Sequence, residues 1–390
     1  MDFSLSPDLQ ALELRVREFV RREVIPLEND PRQDVHGPTQ PLIEELRARA
    51  RAAGLYALHA PSHYGGIGLS HLGRAVVYEA AGYSLFGPLA LHCMPGEGDH
   101  HMLEMIANDA QKDRWLKPLL DGTVRSTFAM TEPDGAGADP SQLKTLARPD
   151  GQDYVLNGRK WFITSFAAAD FHLVMAQTAD TAGRTLGATM FVVDSGTPGL
   201  TEVRRMETLD DVYVGGHSEI AFENVRVTRD RILGEVGQGF RYAQVRLCPA
   251  RLTHCMRWLG AAQRAHDIAV DYARRRTAFG KVIGEHEGVS FQLADNLMDL
   301  HHCRLAVRHA AWLLDQGHDA RRETSMCKVY CSEKLGAVVD RAVQVMGGSG
   351  ISHDTAIARI YRNIRPFRLY DGPSEVHRWA MGRDIMKGIA

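Results

Sequence analysis

The chain has 390 residues, a formal charge of −2 and 44% hydrophobic residues, enough to bury a large core in two or three sub-domains. That near-neutral balance argues against nucleic acid or a polybasic membrane contact as the main partner. No apolar run approaches the ~20 residues of a membrane helix, and the acidic start MDFSLSPDLQALELRVREFV is no export signal, so a cytoplasmic protein without membrane insertion is expected. The cysteines (Cys93, Cys248, Cys255, Cys303, Cys327 and Cys331) form no CxxC pair and read as reduced thiols. Cys327 and Cys331 lie one helical turn apart, but no second Cys or His pair stands at zinc-ligand spacing, so no metal site is expected.

Three zones follow in chain order. From Leu5 to about Arg125, apolar residues recur at helical spacing, as in Leu9-Leu12-Val16-Phe19-Val20 and Leu42-Ile43-Leu46. Pro7 marks a helix start, and the zone reads as all helix. From Ser126 to Val236 the pattern is that of strands: Tyr154-Leu156, Phe171-Met175, Thr189-Val193 and Glu219-Phe222 are β-rich runs bounded by turn residues. Asn157-Gly158 predicts a hairpin turn, because both residues tolerate positive φ. A small antiparallel barrel or sandwich is expected. From Gly237 to the end long helices return, broken by a loop at Phe279-Gly280 and a glycine cluster at Gly347-Gly350. The fold class is therefore mainly α with a central β domain: 1–125 helical, 126–236 strands, 237–390 helical.

Five segments carry candidate chemistry. In Phe128–Thr145 (FAMTEPDGAGADPSQLKT) the glycines allow close backbone approach to a ligand and the hydroxyls can line one; a flexible loop explains the glycines equally well. In NGRKWFITS, Trp161 and Phe162 alternate faces on a strand, so one can pack on a flat cofactor while the other enters the core. RRRTAFGK (Arg274–Lys281) puts cations at a helix C-terminus, which suits the dipole alone but also a pyrophosphate. QVMGGSG (Gln344–Gly350) is the fourth. The fifth is LYDGPSEVHR, where Asp371 sits on a turn before a helix; capping is the common role for such a carboxylate.

In this order and spacing the segments resemble the acyl-CoA dehydrogenase family from end to end. That family has a Tyr-x-x-Thr-Glu-Pro-Gly-Ala-Gly-Ser-Asp segment, then Trp-Ile-Thr, Arg-x-x-Phe-Gly, Gln-x-x-Gly-Gly-x-Gly, and a base in Tyr-Glu-Gly-Thr. The resemblance implies an N-terminal helical domain, a middle β-barrel or sandwich and a C-terminal four-helix bundle. It implies FAD as cofactor, an acyl-CoA substrate and α,β-dehydrogenation. Electron-transfer flavoprotein is the implied acceptor, and a homotetramer built as a dimer of dimers the implied assembly. Carried over by position, Phe128, Met130, Thr131, Gly137, Phe162, Ile163 and Thr164 would contact the flavin half of FAD. Arg276, Phe279, His286, Glu287, Gln344, Gly347 and Gly348 would hold its ADP half across a subunit interface. Pro373 and Glu375 complete the implied cofactor set. Arg251 and Ala138 would face the substrate, and Asp371 would be the base.

Departures mark a branch. Phe128 stands for Tyr, Ala138 for Ser with Ser141 as the candidate replacement hydroxyl, Asp134 is an extra residue, and Asp371 replaces Glu. Together with Cys248-Pro249-Ala250-Arg251 and His254-Cys255-Met256-Arg257, these look like the branch of family members 10 and 11. Burial beneath an acyl chain is expected to raise the Asp371 pKa. Two other readings are a nitroalkane-oxidase-like enzyme on the same fold and a non-catalytic scaffold relative.

Overall fold

The structure, a computed structural model, describes residues 4–94 and 97–389. In the first helix, Pro7–Phe19, Ser6 accepts the Leu9 N–H at 3.3 Å and Pro7 opens the first turn. The predicted stripe buries Val16, Phe19 and Val20. Helices Gln40–Ala52, His71–Gly82 and Glu97–Ile106 follow. The zone read as all helix also contains a small hairpin, with strands Gln33–Asp34 and Gly37–Pro38. Gly37 (φ 134°) permits it, because a Cβ there would lie 2.5 Å from the Tyr213 carbonyl oxygen.

The middle strands are β1 (Ser126–Ala129), β2 (Leu146–Asp150), β3 (Asp153–Thr164), β4 (Phe171–Ala179), β5 (Thr185–Asp194), β6 (Leu200–Met206), β7 (His217–Val227) and β8 (Ile232–Leu233). They form one sheet in the order β8-β5-β4-β2-β3-β7-β6, with β1 paired to β4. Pairing is antiparallel except that β1 and β2 both run parallel to β4, one along Phe171–Val174 and the other at Gln177–Thr178. The loop between β1 and β2 therefore carries the chain along one strand edge instead of reversing it.

The hairpin predicted at Asn157-Gly158 is absent. Strand β3 runs through both residues, and its register with β7 shifts between Leu156 and Gly158, as in a bulge. Asn157 spends its amide on Asn224, and a Cβ at Gly158 would lie 2.5 Å from Thr145 Oγ1. Glycine is needed there for close strand approach. The turn instead falls at Gly151-Gln152, between the paired Asp150 and Asp153, where Gly151 takes φ 66°.

Three long helices follow: Gly239–Arg275, Glu287–Asp315 and Arg321–Met346. The predicted loop between the first two holds a minimal hairpin whose tip, Phe279-Gly280, has φ 53° and 83°. The shorter helices Ala356–Ile364 and Ser374–Met386 complete the chain.

The main apolar core mixes both ends of the sequence. Val16, Leu42, Val77 and Phe86 pack with Leu259, Ala262, Leu300, Val338 and Phe367. Helix His71–Gly82 crosses the long helix Gly239–Arg275 at backbone contact: a Cβ at Gly82 would sit 2.1 Å from the Arg257 carbonyl oxygen, and one at Gly260 2.0 Å from that of Glu79. Ion pairs tie each of these helices to a further segment: Arg264 of the long helix to Glu28 (2.6 Å), and Glu79 of His71–Gly82 to Arg304 of Glu287–Asp315 (2.7 Å). A second core joins Leu103, Trp115 and Leu119 to Leu173, Met190 and Leu233 of the sheet. The sheet is thus docked on the helices.

Candidate active site

A groove of about 3070 Å³ runs between the sheet, the N-terminal helices and the C-terminal helices, lined on one side by Asp371 and on the other by Phe128, Met130, Thr131, Phe162 and Thr164. The Asp371 wall is built from one helix face. Arg251, His254, Arg257 and Trp258 lie three and four apart on the helix Gly239–Arg275, and all point at the segment Phe367–Asp371. Arg251 Nε donates to the Asp371 carbonyl oxygen (3.0 Å), and the His377 ring lies 3.2 Å from the same atom. Arg257 and Trp258 donate to the Tyr370 hydroxyl at 2.9 and 2.6 Å. Lys328, fully buried, donates to the Phe367 carbonyl at 2.6 Å.

These contacts hold Asp371 at φ 53°, a left-handed conformation that a non-glycine residue keeps only when its surroundings enforce it. The side chain is no helix cap: its Oδ2 lies 2.8 Å from His254 Nε2, and Pro373 occupies the cap position of Ser374–Met386. The Asp371 carboxyl does not rise as expected. Burial pushes it up, but the hydrogen bond from His254 and the charges of Arg246 and Arg251 outweigh burial and hold it well below the carboxylate range. Burial lowers His254 to about 4 despite its carboxylate partner, so the pair at neutral pH is an ionised Asp371 and a neutral imidazole. Arg246 pairs with buried Asp99 (2.5 Å) and stacks over the Phe128 ring, 4.1 Å from its centroid.

The opposite wall is organised by a buried ion pair. Lys160, 0% exposed, donates to Glu132 (2.8 Å) and to the Met130 carbonyl (2.9 Å). Glu132 also accepts the backbone N–H of Lys144 (2.6 Å) and Thr145 (2.8 Å), which folds the glycine-rich loop back on itself. Burial raises the Glu132 carboxyl, but the Lys160 charge and these hydrogen bonds bring it below its usual value. Thr131 bonds both ways with the Trp161 backbone: Thr131 Oγ1 to its carbonyl at 2.8 Å, and its N–H to the Thr131 carbonyl at 3.1 Å.

Strand alternation fails at the next residues. Phe162 takes φ 52°, and the β3–β7 register shifts between Lys160 and Ile163, so Trp161 and Phe162 both line the groove and Ile163 enters the core. Thr164 lies 3.0 Å from His217 Nδ1, whose Nε2 meets Asp210 at 2.9 Å. Gly137, Ala138 and Pro373 line the groove, but Ser141 does not replace the missing hydroxyl, since its Oγ is bound to Asp139 at 2.7 Å.

The remaining predicted residues lie outside this groove. Phe279 is 95% exposed at its hairpin tip, beside exposed Arg276, with His286 bonded to the Ala278 carbonyl at 3.1 Å. Gln344, Gly347 and Gly348 are exposed at the end of Arg321–Met346, and Glu287 opens its helix on the surface. Glu375 is 73% exposed, near Arg368. The sequence reading missed His254, Lys160, His217 and Asp210. His254 carried a signal, standing three residues from Arg251 on one helix face; Lys160 carried none, its partner Glu132 being 28 residues away, and His217 and Asp210, seven apart, fit no helical or strand spacing that would pair them.

The acyl-CoA dehydrogenase N-terminal, middle and C-terminal domain families match residues 6–123, 127–225 and 237–386. The "Probable acyl-CoA dehydrogenase FadE2" of Mycobacterium tuberculosis is 38% identical over 98% of this chain and 96% of its own length. The chain belongs to the acyl-CoA dehydrogenase family. Acyl-CoA dehydrogenase family member 11 of Gallus gallus is 35% identical over 96% of the chain, which spans 50% of that longer relative. Butyryl-CoA dehydrogenase of Megasphaera elsdenii shares the fold at TM-score 0.87 and 30% identity, covering 99% of this chain and 100% of the other. A Mycobacterium smegmatis glutaryl-CoA dehydrogenase in complex with FADH2 shares it at TM-score 0.87 and 25% identity, covering 99% and 96%.

The cofactor of this oxidoreductase family is FAD, and the groove fits its flavin half. Flat apolar faces at Phe128, Trp161 and half-exposed Phe162 stand beside the hydroxyls of Thr131 and Thr164, and a Cβ at Gly137 would meet only open space. That donor set suits a planar ring with polar edges. Among the described residues no helix is long and apolar enough to cross a membrane.

Proposed function

We propose that the protein dehydrogenates an acyl-CoA thioester to the trans-2-enoyl-CoA, with Asp371 as the base. The observation that carries this reading is the Asp371 carboxyl group, 19% exposed, opening onto the same groove as the wall suited to a flavin. Phe128, Met130, Thr131, Phe162 and Thr164 would hold the flavin, which when bound supplies the hydride acceptor and electron sink. Asp371 takes the α-proton of the thioester. Its N–H has no acceptor among the described residues, leaving that donor for the thioester carbonyl. Arg251 and His377 fix the backbone that presents both groups.

On the same reading, the exposed Phe279 hairpin, with Arg276, His286 and Glu287, reaches the ADP half of FAD on a neighbouring subunit of a dimer of dimers. The segment Gln344, Gly347 and Gly348 contacts the same moiety. Electron-transfer flavoprotein is the proposed acceptor, and the free cysteines suit a cytoplasmic, reducing compartment.

The test is anaerobic mixing of the yellow holoenzyme with a panel of acyl-CoAs. Bleaching by at least one of them is expected, and Asp371→Asn should bind FAD yet lose at least ~100-fold in reduction rate, the share of a general base. Undiminished bleaching in Asp371→Asn would overturn the assignment.

A further inference from the structure

The Asp371 carboxylate is not simply exposed to the groove; it is gripped on one oxygen. His254 Nε2 lies 2.8 Å from Oδ2, and the other ring nitrogen, Nδ1, faces the Nε–H of Arg257 at 3.2 Å. A guanidinium has only donors to offer. His254 Nδ1 must therefore be the acceptor in that contact, which leaves the proton on Nε2, aimed at Asp371. Arg257 is itself pinned, donating to the hydroxyls of Tyr213 (3.1 Å) and Tyr370 (2.9 Å), so the tautomer is set by buried geometry and not by chance.

The other groups facing Asp371 leave this arrangement intact. From the same helix come Arg246, Arg251 and Arg257, from Arg321–Met346 comes Lys328, from Ser374–Met386 comes His377, and Tyr213 and Tyr370 close the site. All but the tyrosines and histidines are cations, and none is a competing carboxylate.

We propose that His254 is the positioning residue of the base: locked by Arg257 as the Nε2–H tautomer, it holds Oδ2 of Asp371 and leaves Oδ1 to receive the substrate α-proton. This rests on the dehydrogenase reading. As the α-C–H bond breaks, its proton goes to Oδ1, its electron pair forms the new C=C bond, and the β-hydride leaves to FAD. His254 keeps its own proton throughout. It is no relay, because accepting a second proton at Nδ1 would set two donors against each other at Arg257. The neutral ring agrees with its burial, which lowers its pKa to about 4. Losing the donor removes the largest of the influences that hold the Asp371 carboxyl low, so burial is then opposed only by the more distant cations.

The experiment measures anaerobic flavin reduction by an acyl-CoA that bleaches the native holoenzyme, from pH 5 to 9, in the native protein, His254→Leu and His254→Asn. The native rate is expected to lack an acid limb in this range. His254→Leu should lose about tenfold or more in rate through misorientation, with an acid limb raised into the measured range. Substrate affinity should change little, and the amide donor of His254→Asn should restore part of both losses. A His254→Leu profile as free of an acid limb as the native one, whatever its rate, overturns the proposal, as a purely structural role would give that result. Should His254→Leu fail to fold, nitrogen-15 NMR of histidine-labelled native holoenzyme decides: a neutral ring protonated on Nε2 supports the proposal, and a cationic or Nδ1-protonated ring refutes it. Asp371→Asn is run alongside. Retained turnover there defeats the base assignment itself, whereas a dead Asp371→Asn with a His254→Leu profile that gains no acid limb defeats only the role of His254.

Discussion

Lys160→Met is the most severe single change that the loop around Glu132 is expected to suffer. Lys160 is 0% exposed and Glu132 3% exposed, so deleting the cation leaves a buried carboxylate without its counter-charge. Breaking such a pair costs about 3–5 kcal/mol. The low end applies, because the N–H groups of Lys144 and Thr145 still hold Glu132 at 2.6 and 2.8 Å. A loss of about 3 kcal/mol is a large share of a typical 5–15 kcal/mol. It falls on the loop that presents Met130 and Thr131 to the groove, so flavin release should precede unfolding. The assay is urea denaturation of the holoenzyme, followed by circular dichroism and flavin fluorescence. The double variant Glu132→Gln/Lys160→Met, which buries no charge, should recover at least half of the loss. An unfolding free energy for Lys160→Met within about 1 kcal/mol of the native value would refute the view that this pair organises the flavin wall.

Two further outcomes are expected. His59, His92 and His100 form a buried cluster, with His59 Nε2 3.0 Å from His100 Nδ1, and burial lowers all three, His100 to about 4. A histidine depressed in the folded state is protonated first in the unfolded chain, so stability is intact above pH ~6.5 and falls as pH drops toward 4. His100 alone accounts for roughly 2 kcal/mol between pH 7 and 5, and His100→Gln should flatten that dependence in urea titrations by that amount. Phe279→Ala at the 95% exposed hairpin tip should leave the urea midpoint of the apoprotein unchanged while weakening FAD retention on gel filtration; unchanged retention would remove the hairpin from the proposed FAD contact.

The helix–strand–helix order, the helix start at Pro7, the loop at Phe279-Gly280 and the break at Gly347 were legible in the sequence, because each depends on local periodicity or on a residue's own φ preference; the rest of the predicted glycine break, Gly348–Ile351, is a short helix. So was the family, because the order and spacing of its motifs are carried by short contiguous segments. What went astray depended on partners distant in sequence. Asn157-Gly158 has the composition of a turn, but Thr145 and Asn224 make it a bulge within a continuous strand. Trp161 and Phe162, expected to alternate, both face the groove and Ile163 enters the core, where the register with β7 shifts beside them.

The sequence by itself determined the identity of the carboxylate, Asp in place of Glu. Only the tertiary structure decided its state. Asp371 meets His254, 117 residues earlier, because the segment before the last helix packs against the long helix in a core shared by both ends of the chain. Burial alone would have raised its pKa, and that much follows from a hydrophobic site. The sign of the shift is set by an imidazole and two guanidiniums, whose approach no local pattern encodes.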